Sequence, residues 1–176
     1  MKKVFQFKAI ASFVIALLVS SIAWAQKPQS SPRDSVSGKI GKATVSINYG
    51  APSVRGRKIF GGLQPYDKTW RAGANEATTL TTDQAIKVEG KTLPAGKYTL
   101  FITPSEKGDW TVTLNSQTGQ WGIKNNGEAN DDPTKDVVVA KVKPKTAPLT
   151  ERLKYVITGK GFSMLWENVE LPVSVK

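Results

Sequence analysis

Residues 109–115, Asp109-Trp110-Thr111-Val112-Thr113-Leu114-Asn115 (DWTVTLN), set Trp110, Val112 and Leu114 against Asp109, Thr111, Thr113 and Asn115. Successive side chains of a strand point to opposite faces, so this strict period of two predicts a strand with one face in a core and one in water. The same alternation recurs towards the N-terminus. Lys97–Thr103 places Tyr98, Leu100 and Ile102 on one face, and Ala85–Glu89 does the same with Ile86 and Val88. Ala43, Val45, Ile47 and Tyr49 alternate with Thr44, Ser46 and Asn48, and Ser35–Ile40 precedes them across Gly41-Lys42, which predicts a hairpin. Thr69–Arg71 and Ala77–Thr81 are shorter strand candidates, and Gln120–Ile123 is another, anchored by Trp121. Trp110, Trp121 and Trp166 are assigned to the core.

Towards the C-terminus, Asp136–Val142 is a nearly continuous Val/Ala run suited to a central strand, and Pro144–Pro148 reads as a linker. Glu151–Thr158 alternates Leu153, Tyr155 and Ile157. Phe162–Val175 reads as two strands or one long bulged strand, with Trp166, Val169, Leu171, Val173 and Val175 inward and Pro172 marking an edge or a bulge. About eight to ten strands separated by turn signals, with no sustained helical period, predict an all-β fold: a single antiparallel β-sandwich or a related partly open barrel.

The beginning of the chain has a different character. Lys2, Lys3 and Lys8 precede an apolar run, Ala9–Val19, and Ala23-Trp24-Ala25 has the small-x-small pattern of a cleavage site. We read residues 1–25 as a signal peptide, 26–34 as a flexible leader, and 35–176 as one β-sandwich domain. The apolar run is short for a membrane anchor, which needs ~20 residues, so no transmembrane segment is expected after cleavage. The expected product is exported, periplasmic or secreted. The chain has no cysteine, so its stability must come from packing and backbone pairing rather than disulfides.

The formal net charge is +11, and three of those charges belong to the leading segment. The remaining lysines are scattered (Lys39, Lys42, Lys87, Lys91, Lys97, Lys141, Lys143, Lys145, Lys154), often at the spacing of outward strand positions. No nucleic-acid motif is present, and nucleic acid is not expected as a partner. Anionic glycans or lipid headgroups suit such a charge better.

One stretch breaks the alternation. Tyr49–Thr79 (YGAPSVRGRKIFGGLQPYDKTWRAGANEATT) concentrates Arg55, Arg57 and Arg71 with Tyr66, Trp70, Asn75 and Glu76. Within it, Gly50–Asp67 carries Pro52, Gly56, Gly61, Gly62 and Pro65, which interrupt any ladder. A loop this long in a compact domain is usually functional or covers an open end of the core. As scaffold, it would hold an internal Arg–Glu network, Arg71 with Glu76, and use Trp70 and Tyr66 as core cover. As a site, Arg57 and Arg71 would bind anionic oxygens, Asn75 and Glu76 would bind hydroxyls, and Trp70 or Tyr66 would stack on a ring. The binding candidates are therefore Arg55, Arg57, Tyr66, Trp70, Arg71, Asn75 and Glu76, and the ligand class is a glycan or a small anion. No cofactor is expected, and protein partners are unknown; the alternatives to binding are a carboxylate-based hydrolase using Glu76 and a structural or assembly module of the cell envelope in which the loop merely caps the core.

The absence of histidine and cysteine excludes Ser-His-Asp and Cys-His catalysis, Cys/His zinc sites and histidine acid–base chemistry. No phosphate-binding glycine motif is present. Carboxylate hydrolysis with Glu76 and Asp67, or a Ser53–Lys58 pair, has no more than generic support. Glu128, Asn130, Asp131, Asp132 and Asp136 offer oxygens to calcium but lack EF-hand spacing; the alternative is a solvated loop of turn-forming side chains.

Read together, Ser31-Pro32-Arg33, Val54-Arg55-Gly56-Arg57, Ile59-Phe60-Gly61, Pro65-Tyr66, the string Trp70–Thr78 (WRAGANEAT), Leu93–Tyr98 (LPAGKY) and the closing Leu165-Trp166-Glu167-Asn168 resemble an exported bacterial family of unknown function, DUF2911. The resemblance implies export and an all-β domain. It implies no activity, substrate or catalytic residue. The chain departs from it at Pro65-Tyr66-Asp67, where Pro-Tyr-Gly is expected.

Overall fold

A computed structural model describes residues 31–176, so the expected signal peptide and most of the expected leader lie outside the described residues. The described chain is all-β and holds ten strands: β1 (Arg33–Ile40), β2 (Ala43–Gly50), β3 (Thr79–Thr82), β4 (Ile86–Val88), β5 (Lys91–Leu93), β6 (Gly96–Thr103), β7 (Trp110–Asn115), β8 (Asp136–Val142), β9 (Lys145–Thr158) and β10 (Gly161–Ser174). Six of them form an antiparallel sheet in the order β1-β2-β3-β6-β7-β8. The long β9–β10 hairpin and the short β4–β5 hairpin form the rest. Just beyond β10, Val175 bridges Val88 of β4, and Lys87 and Lys176 exchange backbone hydrogen bonds at 2.7 and 2.9 Å, so the two hairpins continue one another.

The alternation that predicts the strands also places the core. Val45 and Ile47 of β2, Leu80 of β3, Leu100 and Ile102 of β6 and Val112 and Leu114 of β7 are buried against Leu153 and Tyr155 of β9 and Phe162, Met164, Trp166 and Leu171 of β10. The large sheet and the β9–β10 hairpin thus pack face to face, which is the sandwich geometry. The layers also meet at an edge: a Cβ on Gly38 of β1 would lie 2.9 Å from the Ile157 side chain of β9, so the missing side chain permits the approach.

Four local expectations are corrected. β8 lies at the edge of its sheet, not the centre, with Val137 and Val139 38% and 41% exposed. Its continuous Val/Ala run looks doubly buried, but only Val138, Ala140 and Val142 turn inward. The segment Pro144–Pro148 is mostly strand, because Lys145 and Thr146 pair with Glu170 and Val169. Residues 120–123 form no strand, and Trp121 is 51% exposed rather than core. Thr69–Arg71 shrinks to a single bridge, Trp70 with Ile102.

β10 is one bulged strand, with register shifts on either side of Glu167, whose φ of 54° is left-handed. β1 starts at Arg33, two residues before the expected Ser35, because Arg33 and Asp34 pair with Gly50 and Tyr49. Asp67, where the family resemblance leads one to expect glycine, has φ 58°. That conformation favours glycine, and aspartate tolerates it better than most residues.

Candidate functional site

The loop between β2 and β3 closes one end of the sandwich by pairing with both layers. On one side Ser53 bridges Arg152 of β9: Val54 N–H donates to the Glu151 carbonyl at 2.7 Å, and Leu153 N–H to the Pro52 carbonyl at 2.9 Å. On the other, Trp70 and Ile102 of β6 exchange backbone hydrogen bonds at 2.8 and 2.9 Å. Between these clamps the loop inserts Ile59 and Phe60 into the core. Phe60 meets Trp110 at 4.6 Å, Trp166 at 5.9 Å and Trp70 at 6.4 Å between ring centroids. Trp70 stacks on Trp166 at 5.4 Å and 26°, and its indole N–H donates to the Gly73 carbonyl at 2.9 Å.

These contacts fix where each candidate residue goes. Trp70 is 6% exposed and belongs to the core, so its ring is no open platform. Tyr66 is half-buried and packs against the core. It rests on Gly61, where a Cβ would lie 2.4 Å from the Tyr66 ring. Arg57 is held by its own loop, Nε donating to the Val54 carbonyl at 3.0 Å and Nη2 to the Ser53 carbonyl at 2.7 Å. Arg55, at φ 50°, anchors its backbone N–H on the Glu151 carboxylate at 2.9 Å. Asn75, at φ 63°, donates to the Ser31 carbonyl at 2.8 Å and ties the start of the described chain to the loop.

The expected Arg71–Glu76 pair does not form. Glu76 instead accepts from Arg33 at 3.2 Å, with both side chains well exposed. Arg71 Nη1 donates to the Trp121 carbonyl at 3.0 Å, and its guanidinium lies 5.4 Å from the centroid of the Trp121 ring. Partial burial lowers the Arg71 pKa from its ordinary value, and the charge of Glu76 works in the opposite direction. The acidic loop also has local duties: Asp132 caps a short 3-10 turn by accepting from Thr134 N–H at 3.0 Å, and Asp136 accepts from Asn115 at 2.7 Å. Among the described residues no group of three carboxylates is placed to hold a metal ion.

Two clefts divide the candidate residues. Arg55, Arg57 and Arg71 all line one of about 400 Å³, together with Ser53, Gly73 and Trp166, and no carboxylate is among its lining residues. Asn75 and Glu76 do not belong to it. Glu76 lies in a second cleft of about 480 Å³, with Arg33, Asn48, Lys97, Gln120 and Trp121. Trp166 in the first cleft and Gln120 in the second each carry a buried polar atom with no partner among the described residues, Trp166 Nε1 and Gln120 Oε1. The sequence gives no signal for either atom, since only packing decides which donors go unmet. The exposure of Trp121 had a faint one: Gly119 and Gly122 flank it, both at positive φ (75° and 86°), as in a loop that turns away from the core.

Searches of the curated proteins and of the solved structures returned no match to this chain. The model of the family described as a protein of unknown function, DUF2911, matches residues 31–175. That span runs from the residue held by Asn75 to the valine that closes the β4–β10 bridge, and the chain belongs to this family.

Proposed function

We propose that this protein is a non-catalytic binding protein whose arginine-lined cleft takes an anionic group, borne by a small anion or by an acidic glycan. The observation that carries this reading is the convergence of Arg55, Arg57 and Arg71 on one cleft without a lining carboxylate, over the buried and unpartnered indole N–H of Trp166. Arginine keeps its charge in proteins and offers a planar fork matched to oxyanions. Arg57 and Arg71 each spend only part of their donors on backbone carbonyls, so donors remain for a ligand. A buried donor left unmet is costly, and an entering oxygen would satisfy it. Glu76 has no such support as a hydrolytic acid, because its carboxylate faces Arg33 and not a second carboxylate.

Export belongs to the same reading. It is supported by the basic start, the apolar run and Ala23-Trp24-Ala25. Fractionation and N-terminal sequencing of the expressed protein should place it outside the cytoplasm, beginning at Gln26; an intact N-terminus in the cytoplasm would sink this part.

The binding test is a thermal-shift titration with sulfate, phosphate and citrate. A ligand at ~100 times its dissociation constant adds ~2.7 kcal/mol, which moves the midpoint of a domain this size by several degrees. Arg57→Ala should lose the shift while still unfolding cooperatively, and Arg57→Lys should keep only part of it. The absence of a shift with all three anions would refute the anion site.

A further inference from the structure

We propose a second binding site, separate from the arginine cleft, in which a neutral sugar ring stacks on Trp121 and its hydroxyls are held by Gln120, Glu76, Asn48 and Lys97. The backbone around Trp121 is hydrogen-bonded to three neighbouring segments. Gln120 accepts from Ala77 N–H at 3.2 Å, Gly122 accepts from Asn130 N–H at 3.0 Å, and Gln117 accepts from Thr99 Oγ1 at 2.6 Å. Gly122 permits the loop to lie close, because a Cβ there would sit 2.8 Å from Arg71 Cβ and 2.9 Å from Ala77 Cβ. Arg71 then covers the indole. The result is a half-exposed ring held rigidly at the wall of a 480 Å³ cleft. Rigid aromatic surface of this kind binds at low entropic cost.

The unmet atom in this cleft selects the ligand class. Gln120 Oε1 is a buried acceptor, and the amide is assigned this way round because Nε2 donates to the Gln117 carbonyl at 3.3 Å. Turning the amide over would set oxygen against oxygen. An acceptor needs a donor from the ligand. A fully ionised anion has none, and it would also face the carboxylate of Glu76. A sugar hydroxyl both donates and accepts, and the residues lining the cleft offer both kinds of partner: Glu76 accepts, Lys97 donates, Asn48 does both, and Gln120 Oε1 accepts once its side chain turns into the cleft. The apolar C–H face of a pyranose suits the indole face, while its edge hydroxyls reach these groups. The two unmet atoms thus differ in what they need: the Trp166 donor is met by any acceptor oxygen, an anion's included, while the Gln120 acceptor is met only by a donor such as a hydroxyl.

The test is calorimetric and tryptophan-fluorescence titration of the purified protein with cellotetraose, chitotetraose and maltotetraose. At least one should bind saturably. Trp121→Ala should weaken that binding by about tenfold or more with a melting midpoint within a few degrees of the wild type, because the ring lies outside the core and loses only its contact with Arg71. Trp121→Phe should restore much of the affinity, and Gln120→Leu should weaken it. Arg57→Ala should leave sugar binding unchanged while reducing sulfate binding, so the two sites fail independently. If none of the three sugars binds, or if Trp121→Ala binds as tightly as the wild type, the proposal is overturned.

Discussion

The Arg71 guanidinium lies 5.4 Å from the centroid of the Trp121 ring and donates to the carbonyl of the same residue at 3.0 Å. This double contact joins the β2–β3 loop to the loop after β7, and it places one cation at the boundary between the two clefts. It also replaces the buried ion pair that the spacing of Arg71 and Glu76 suggests.

The cost of removing Arg71 follows from that replacement. A buried carboxylate left without its partner would cost ~3–5 kcal/mol. Loss of one hydrogen bond to a carbonyl and one cation–ring contact costs about 1–2 kcal/mol. Urea unfolding of Arg71→Ala should give the smaller figure, with a changed Trp121 emission. A loss near the larger figure would show that Arg71 holds far more than the Trp121 loop.

Glu76 should matter little to stability. Its pair with Arg33 is exposed, at 43% and 55% for the two side chains, and such pairs contribute ~0–1 kcal/mol. Glu76→Ala should unfold within about 0.5 kcal/mol of the wild type at moderate salt. A strongly destabilised variant would return Glu76 to the scaffold.

Gly50 is the opposite case. A Cβ there would come within 2.0 Å of the Ala74 carbonyl oxygen, and Ala74 N–H donates to the Gly50 carbonyl at 3.1 Å. Backbone meets backbone, so neither side can give way as a flexible side chain would. Gly50→Ala should cost about 3 kcal/mol, whereas Gly159→Ala, with open space around the new Cβ, should be close to neutral. Equal midpoints for the two variants would contradict this packing.

Asp136 should give a pH-dependent difference. Burial raises its pKa above the ordinary carboxylate value, the hydrogen bond from Asn115 opposes the rise, and the charges of Asp131 and Asp132 add to it. The folded state therefore holds this proton more tightly than the unfolded chain does. The protonated form stabilises the fold at low pH, and that contribution is lost as pH rises through the folded pKa. Asp136→Asn keeps an oxygen for Asn115 but carries no charge, so it should melt higher than the wild type at pH 7. The gap should close as the pH falls towards about 4. A variant that melts lower at pH 7 would mean the Asn115 bond to the charged form outweighs desolvation.

Much of the architecture is legible in the sequence because a strand with one buried face writes its geometry into alternate residues. β2, β6 and β7 are readable this way, as is the hairpin turn at Gly41. β8 misleads because an apolar side chain at a sheet edge looks the same in sequence as one in the centre; only its neighbours decide. The segment 144–148 misleads because its prolines suggest a break, while the edge of a long hairpin accommodates them. Of the candidate site residues, Arg55, Arg57 and Arg71 are found together because they share one loop. Asn75 and Glu76 share that loop too, yet they leave the cleft, since a positive φ at Ala72 and Asn75 (55° and 63°) redirects the chain between Arg71 and Glu76.

The sequence alone determines that this protein is all-β, that it is without histidine or cysteine chemistry, and that its arginines gather where the strand pattern fails. Those properties depend on composition and on the local period of the chain. Only the tertiary structure decides that Trp121, not Trp70, offers an exposed ring, and that Trp166 and Gln120 bury a donor and an acceptor beside two different clefts. Exposure and hydrogen-bond satisfaction depend on which distant segments close over a residue, and nothing within a few positions of Trp166 records that Phe60 and Trp70 will pack against it.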